Sequence, residues 1–151
     1  AREADYLRRI GARDVMLRSS IELGSARPLE KATWAGAVDN LGGDLLAWLL
    51  ATSKIAGTVA AVGLAADMKL NTSVAPFILR GVRLLGTDSA NTPMSLRQTL
   101  WNKLAVEWRP DRVHDEVRTI DFDELPTHFD AYLKGMVRGR TVVRVAADTH
   151  P

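Results

Sequence analysis

Hydrophobic residues between positions 34 and 108 follow two alternating patterns. Short, largely apolar runs, typical of strands that are buried on both faces, stand at residues 35–39, 58–63 and 82–87. The run at 58–63 is continuous, whereas the first ends in Asp39 and the last contains Arg83. Stretches with apolar residues at helical spacing lie between and after these runs, at residues 44–52 and again from Thr92 onward. Strands that alternate with helices predict a parallel sheet covered by helices.

Local signals refine the helix boundaries. Ser73 is a candidate cap for a short helix with Pro76 in its first turn, and Thr92 with Pro93 is a good pair to open the next helix. Because they share one face of that later helix, five large apolar residues are predicted to point inward: Leu96, Leu100, Trp101, Leu104 and Trp108. Before Thr58, Gly57 is expected to end the connection that leads into the strand.

The two ends of the chain carry weaker signals. Residues 1–10 have apolar residues at helical spacing and are followed by Gly11, whereas residues 14–17 look like a short strand. The C-terminal region predicts a weak strand at 117–120, a helix at 123–134 and a last strand at 141–145. There is no internal repeat or low-complexity segment.

Composition narrows the class of protein. The 151 residues are 46% hydrophobic and 25% charged, as expected of one globular domain. A net charge of +2 gives no electrostatic footprint for nucleic acid, and no apolar run is long enough for a membrane span. Cysteine is absent, which excludes thiolate chemistry and disulfides and favours a cytoplasmic location.

Few residues in the chain suggest catalysis directly. The three histidines, His114, His128 and His150, have no metal-ligand spacing, and we expect them to face solvent or to bond locally. No nucleophile elbow, phosphate-loop motif or pair of catalytic carboxylates is visible. We therefore predict that this chain contains no catalytic and no metal-ligating residue.

The most informative residues stand at the ends of the predicted strands. Ligands of doubly wound sheets bind beyond the carboxyl ends of the strands, which here are residues 39–43, 63–66 and 86–89. Glycine and other small residues there would let the main chain approach a flat ligand closely. Ordinary turn chemistry explains the same residues, and the pattern alone favours that explanation. The periodicity of apolar residues therefore supports half of a nucleotide-binding fold, but it does not identify a ligand.

Several longer segments resemble one known group of enzymes. They are Arg27-Pro28-Leu29-Glu30-Lys31, Trp34-Ala35-Gly36-Ala37-Val38-Asp39, Val62-Gly63-Leu64-Ala65, the run from Pro76 to Gly86 (PFILRGVRLLG), Asp88-Ser89 and Gly139-Arg140-Thr141-Val142-Val143. Together they resemble the zinc-independent acrylyl-CoA reductase branch of the medium-chain dehydrogenase/reductase superfamily, whose members often carry quinone oxidoreductase names.

The resemblance implies an α/β fold of a particular kind. Family members begin with a catalytic β-domain, and their nucleotide domain opens with a strand and a glycine-rich phosphate turn. Neither is found here, so we expect the C-terminal part of a larger enzyme. It would comprise a partial Rossmann-like, doubly wound parallel sheet at residues 1–110 that lacks its first two strands. A C-terminal tail at residues 111–151 would pack on the catalytic domain. The strand-like run at 14–17 would then have no neighbouring strand in the chain and would be displaced or pair with another molecule.

The resemblance also implies an NADP cofactor and five residues that contact it. Arg27 would lie near the adenosine end, Leu64 would line the ribose–nicotinamide trough, and Ile78 would present main-chain groups to the carboxamide. Ser89 would close the nicotinamide end, and Arg140 would reach back from the tail. Each has an ordinary alternative: a solvated charge for the two arginines, core packing for Leu64 and Ile78, and a turn role for Ser89.

The implied reaction is hydride transfer from NADPH to the β-carbon of an α,β-unsaturated thioester such as acryloyl-CoA. The alternatives are a quinone or enal reductase, or a chain without activity that serves only structure or oligomerisation. The resemblance further implies a homodimer, because dimers in this superfamily commonly join their sheets along the strand that corresponds to residues 82–87. That run has one charge, Arg83, and no proline to protect an open edge.

Overall fold

The computed structural model describes residues 3–23, 27–109, 111 and 117–145. The chain divides into two compact units, Ala1–Met94 and Ser95–Pro151. The sequence interpretation divides it instead into a nucleotide-binding part at 1–110 and a tail at 111–151, and that assignment of domains stays a prediction.

The first unit contains three parallel strands in the order β1-β2-β3. Its elements along the chain are α1 (Ala4–Arg9), a 3-10 turn (Arg18–Ser20), β1 (Trp34–Asp39), α2 (Gly43–Ala51), β2 (Ser53–Ala61), α3 (Ala75–Arg80) and β3 (Arg83–Gly86). The predicted strands and the helices between them are therefore formed. β2 occupies the centre, so both of its edges are hydrogen-bonded within this sheet.

The core of this unit lies between α2 and the middle strand. Leu50 on α2 and Val59 on β2 are both 0% exposed, and Leu46 and Val82 complete the buried cluster. Burying one such side chain contributes about 1.5–3 kcal/mol to folding. Leu50 and Val59 thus hold the helix against the sheet.

β2 begins earlier than the sequence indicates, because it contains a bulge. Trp34 pairs with Ser53 and Gly36 with Thr58. An advance of two residues along β1 therefore corresponds to an advance of five residues along β2. Ala56 adopts a positive φ of 58° inside the irregular stretch. Gly57 does not end the connection as predicted. It lies buried within the strand, where the main chains of both strands approach it.

Residues 14–17 do not form the predicted strand. Met16 and Leu17 are about half exposed (52% and 51%), and no described residue of this segment pairs with a strand. The described residues offer these positions no neighbouring strand, as the sequence interpretation expects, and a 3-10 helix follows at Arg18–Ser20.

The second unit contains α4 (Met94–Ala105), which begins at the boundary, then β4 (Val117–Asp121), a 3-10 turn (Phe122–Glu124), α5 (Leu125–Leu133) and β5 (Arg140–Arg144). β4 and β5 pair in parallel. Ile120, only 2% exposed, is the buried residue of this pair. Asp121 receives an ion pair from Arg144 (2.8 Å) and closes a capping box with Glu124.

The prediction that one face of α4 points inward is wrong for this chain. All five residues of that face are exposed, from 38% for Leu100 to 61% for Trp101. No described residue of the second unit covers the face, so its amphipathic pattern has nothing to pack against. Helical periodicity identifies the helix and its apolar face, but it cannot supply the partner of that face.

The bulge generates the first prediction. A Cβ at Gly57 would lie 2.9 Å from the Lys54 carbonyl oxygen and 3.2 Å from that of Ala35, and neither main-chain atom can move cheaply. We expect Gly57→Ala to lower the free energy of unfolding by about 1–3 kcal/mol through overpacking. Urea denaturation measures the difference.

Gly86→Ala is the matched control, since a Cβ at Gly86 meets no atom within 4 Å and the same kind of atom is added to the same sheet. An equal loss of stability in both variants would show that glycine flexibility, rather than the close approach at Gly57, sets the effect.

Candidate functional site

The three strands of the first unit end at one edge of the sheet. β1 ends at Asp39, β2 at Ala61 and β3 at Gly86, and the register brings Asp39 beside Ala61 and Ala61 beside Gly86. In parallel α/β sheets, ligands bind in the crevice outside this carboxyl edge. The loops that follow these three residues are therefore the candidate functional site.

A buried carboxylate closes the first of these loops. Asp39 is 1% exposed and accepts hydrogen bonds from the main-chain N–H groups of Leu41 (3.3 Å) and Gly42 (2.9 Å). A carboxylate at this depth is tolerated because N–H donors replace water around it. The turn from β1 into α2 is consequently fixed by its own strand-end residue.

The loops after β1 and β2 lie in direct main-chain contact. Gly42 forms a parallel bridge with Asp67, and a Cβ at Gly42 would collide with the Asp67 carbonyl. Gly63 is equally confined, because a Cβ there would lie 2.6 Å from the carbonyl oxygen of Asn40. Only glycine allows this approach at both positions, and Gly42 also has a positive φ of 71°. The surface at this edge of the sheet is therefore formed by main-chain atoms where the two loops meet.

Asp88 organises the loop after β3. Its carboxylate accepts hydrogen bonds from the N–H groups of Ala90 (3.1 Å) and Asn91 (3.0 Å) and from the Asn91 side-chain amide (2.7 Å), and its carbonyl accepts one from the Thr92 hydroxyl (2.8 Å). The side-chain and main-chain donors of Asn91 hold the pKa of Asp88 below its ordinary value of 3.8. Thr92 thus bonds to the loop before it.

Three of the five predicted cofactor-binding residues lie on the first unit near strand or helix ends. Leu64 follows β2 and is 62% exposed, Ile78 in α3 is 74% exposed, and Ser89 is exposed next to Asp88. The alternative of core packing for Leu64 and Ile78 does not hold in this structure, because both side chains are open. That exposure is compatible with ligand contact, and the contact itself stays a prediction.

The two predicted arginines lie in other segments, Arg27 in the loop before β1 and Arg140 in the second unit. Arg27 is exposed and pairs with Glu30, whose carboxylate accepts from the Arg27 N–H at 3.2 Å and approaches its guanidinium at 4.0 Å. It lines a cleft of about 330 Å³ together with Pro28, Ala47, Ala51, Asn71, Thr72 and Ser73. Arg140 is the first residue of β5 in the second unit. Their roles likewise stay predictions.

The second unit has a cleft of about 290 Å³, and His128 is one of the residues that line it. His128 lies 2.9 Å from the Thr141 hydroxyl, which is the local bonding expected for it. Among the described residues, no group of three His, Asp or Glu side chains could hold a metal ion. His114 and His150 lie outside the described residues.

The helices of the described ranges are all too short or too polar to cross a membrane.

Known proteins with related sequences and structures include reductases. The acrylyl-CoA reductase AcuI of Ruegeria pomeroyi is 42% identical over 144 residues, which are 95% of this chain and 44% of that enzyme. Escherichia coli YhdH with bound NADPH superposes with a TM-score of 0.84 at 40% identity, over 96% of this chain and 44% of that one. Bacillus subtilis YhfP with bound NAD gives 0.89 at 37% identity, with the same two coverages.

The chain matches the C-terminal part of these reductases. The resemblance to this branch of the medium-chain dehydrogenase/reductases is therefore confirmed, and so is the partial Rossmann-like class of the fold. The chain spans less than half of the length of each relative. A more distant likeness, to a cinnamyl alcohol dehydrogenase of Sorghum bicolor at 22% identity and a TM-score of 0.68, supports the fold alone. No protein-family model matches the chain.

The buried carboxylate generates the second prediction. Asp39→Ala leaves two main-chain N–H groups without their acceptor, and each such loss costs about 1–3 kcal/mol when water cannot replace it. We expect the free energy of unfolding to fall by at least that amount in urea denaturation. Asp39→Asn keeps one acceptor oxygen and should lose less. Equal stability of Asp39→Ala and the wild type would mean that water reaches both amides.

Proposed function

We propose that the full-length protein containing this chain is an NADPH-dependent oxidoreductase that reduces an α,β-unsaturated acyl-CoA such as acryloyl-CoA. In this reaction a hydride is added to the β-carbon of the thioester and a proton to its α-carbon. The observation that supports it most is the glycine-built carboxyl edge of the sheet, in a chain 40% identical to a protein whose structure contains NADPH.

The residues of the edge fit a dinucleotide. A Cβ at Gly42 or Gly63 would meet the carbonyl oxygen of Asp67 or Asn40, so these glycines keep the loops after β1 and β2 in main-chain contact. A flat ligand at this edge would lie on that main chain. Leu64 and Ile78 offer exposed apolar surface, which suits a nicotinamide ring, and Arg27 offers a cation that both stacks and pairs with phosphate. When bound, NADPH supplies the hydride.

This chain's own residues would bind and orient the cofactor. Arg27 would hold the adenosine end, Leu64 would exclude water along the trough, and Ile78 would bond the carboxamide through its main chain. Ser89, in the loop fixed by Asp88, would close the nicotinamide end, and Arg140 would contribute from the second unit. No acid or base is assigned to this chain, so the proton and the acyl-CoA contacts fall to the remainder of the protein.

A second candidate is quinone reduction, because the related Bacillus subtilis protein YhfP carries a quinone oxidoreductase name and is 38% identical over 143 residues. Steady-state NADPH oxidation by the full-length protein distinguishes the two. We expect the kcat/KM for acryloyl-CoA to exceed that for benzoquinone and for acrolein at least tenfold. The opposite order would favour the quinone or enal reductase, and no oxidation of NADPH with any of the three would remove the proposal.

The third prediction concerns the 151-residue chain by itself. The pyrophosphate of a dinucleotide is held by N–H groups of a helix that follows a glycine-rich turn. The turn with which the nucleotide domain of the resembling family opens is not found in this sequence. We expect the chain alone to bind NADPH at least a hundredfold more weakly than the full-length protein, or about 2.7 kcal/mol at 1.36 kcal/mol per decade. Fluorescence titration measures both constants. A low-micromolar dissociation constant for the chain alone would contradict the prediction.

We further propose that the protein forms a homodimer along β3. Among the described residues, β3 pairs only with β2, and Leu85 on it is 52% exposed. An antiparallel copy of the same strand would satisfy the open edge, and one sequence serves both sides of such a twofold contact. The alternative is a monomer in which the loop at residues 88–92 covers this edge.

The fourth prediction tests this edge. Thr87 donates its N–H to Ala61 on β2, so strand alternation points the N–H groups of Leu84 and Gly86 outward. We expect Leu84→Pro to remove dimer hydrogen bonds worth about 0.5–1.5 kcal/mol each, counted twice across the axis. Sedimentation should shift from dimer to monomer while circular dichroism stays constant.

Gly86→Pro is the second variant, because the Leu84 side chain also packs on the core. Leu85→Pro is the contrast: its N–H points toward β2, and its loss should disturb the sheet itself. A wild-type protein that sediments as a monomer at tens of micromolar would contradict the dimer.

A further inference from the structure

The open edge of β3 presents the main-chain groups of only every second residue. In a parallel pair of strands, residues alternate between bonding toward the neighbouring strand and facing away from it. Thr87 donates its N–H to the Ala61 carbonyl of β2 at 3.0 Å, so Thr87 bonds inward. Counting back from it, Leu84 and Gly86 direct both their N–H and their carbonyl groups away from β2. These two residues are therefore the ones that a further strand would bond.

The positions of these groups limit how a second copy can pair with β3. In an antiparallel pair, outward-facing residues must lie opposite each other to exchange hydrogen bonds. If Leu85 lies on the twofold axis, Leu84 faces Gly86 of the partner subunit in both directions, which gives four bonds. If Leu84 or Gly86 lies on the axis, it bonds only its own copy within β3, which gives two. Val82 cannot fully extend the ladder in the register centred on Leu84, because its N–H already bonds the Pro76 carbonyl at 3.2 Å.

The side chains of β3 favour the register that is centred on Leu85. In that register the two copies of Leu85 lie opposite each other in a non-hydrogen-bonded pair, whose Cα atoms are about 4.5 Å apart. Leu85 is 52% exposed in the single chain, so this contact removes apolar surface from water. A shift by two residues in either direction would instead place Leu85 opposite Arg83 or Thr87, which are polar.

The one charge of β3 meets an acidic loop in the same register. Arg83 faces Thr87 of the partner subunit, and Asp88 is the next residue along the chain. The Oδ2 atom of Asp88 accepts a hydrogen bond from the Asn91 amide at 2.7 Å and has a second lone pair for another donor. Arg83 is exposed and bonds the Ala56 carbonyl at a long 3.3 Å, so its side chain is able to turn toward the partner. The twofold axis produces this pairing of charges twice.

We propose that two copies of the protein pair along β3 in the register centred on Leu85, and that Arg83 of the partner subunit binds Asp88. The inference rests on the proposed homodimer and adds which residues meet in it. An antiparallel partner brings the amino end of its own strand beside the carboxyl end of this one. The loop after β3, which is part of the candidate functional site, is therefore bounded by the other subunit.

Cysteine substitution tests the register, because the 151 residues contain no cysteine of their own. Two cysteines form a disulfide only when their Cα atoms lie within about 7 Å. In the proposed register Leu85→Cys meets its own copy, whereas the two copies of Leu84→Cys, or of Gly86→Cys, lie about 8 Å apart on the diagonal. After mild oxidation of the full-length protein, we expect the yield of covalent dimer to be at least tenfold higher for Leu85→Cys than for the other two variants.

Two controls accompany the three cysteine variants. Wild-type full-length protein, oxidised in the same way, shows any covalent dimer that residues outside this chain produce. Ile55→Cys, on β2 and 80% exposed, measures disulfides that form by random collision, and it should give no covalent dimer. Trypsin cleaves after Arg83 and Arg97, so mass spectrometry of the linked peptide identifies a disulfide at any of the three positions.

A double-mutant cycle tests the ion pair between the subunits. Arg83→Gln and Asp88→Asn remove one charge each, and we expect each to raise the dissociation constant of the dimer at least threefold in sedimentation. The double variant should raise it by less than the product of the two single effects, because both remove the same contact. The bond from Arg83 to Ala56 is lost in the single and in the double variant, so it cancels. A double effect equal to the product would overturn the ion pair.

The outcomes separate this inference from the proposals on which it rests. A wild-type protein that sediments as a monomer overturns the homodimer and this inference together, whereas NADPH oxidation tests the reductase independently. A wild-type dimer that is linked best by Leu84→Cys or Gly86→Cys keeps the homodimer and overturns the register. A wild-type dimer that none of the three cysteines links has its interface elsewhere, and that result also overturns the inference.

Discussion

Contact between main chain and main chain is the constraint on which the candidate site depends. The loop after β1 and the loop after β2 touch at Gly42 and Gly63, where no side chain has room. Asp39 stabilises the first loop by accepting hydrogen bonds from two of its N–H groups. Any Cβ at these glycines would separate the loops and open the floor on which a flat ligand could lie. The loops at the strand ends are therefore held by contacts between main-chain atoms, and glycine allows these contacts because it has no Cβ.

Much of the first unit could be predicted because its information is local. Largely apolar runs identify the strands, and their alternation with helices predicts the parallel order that the structure has. The irregular start of β2 could not be found in this way, since residues 53–57 match no regular period and their pairing is decided by the partner strand. Gly57 was the available signal, but in sequence a glycine in a bulge looks the same as one in a turn.

The limits at the candidate site have a different cause. Asp39 is visible as an acid at a strand end, yet its burial and its two donors follow from the fold around it. The five predicted contacts came from resemblance, since an exposed leucine or serine carries no pattern of its own. The face of α4 shows the converse limit: a clear pattern whose partner is not among the described residues.

The placement of the tryptophans gives each unit its own optical signal. Trp34 and Trp48 belong to the first unit and meet edge to face with their ring centres 6.2 Å apart. Trp101 and Trp108 belong to the second, are 61% and 48% exposed, and the ammonium of Lys103 lies 4.7 Å from the ring centre of Trp108. Because tryptophan in water emits further to the red than buried tryptophan, we expect the two pairs to emit at different wavelengths. Intrinsic fluorescence would then report on the sheet of the first unit and on the exposed face of α4 separately, with no label attached.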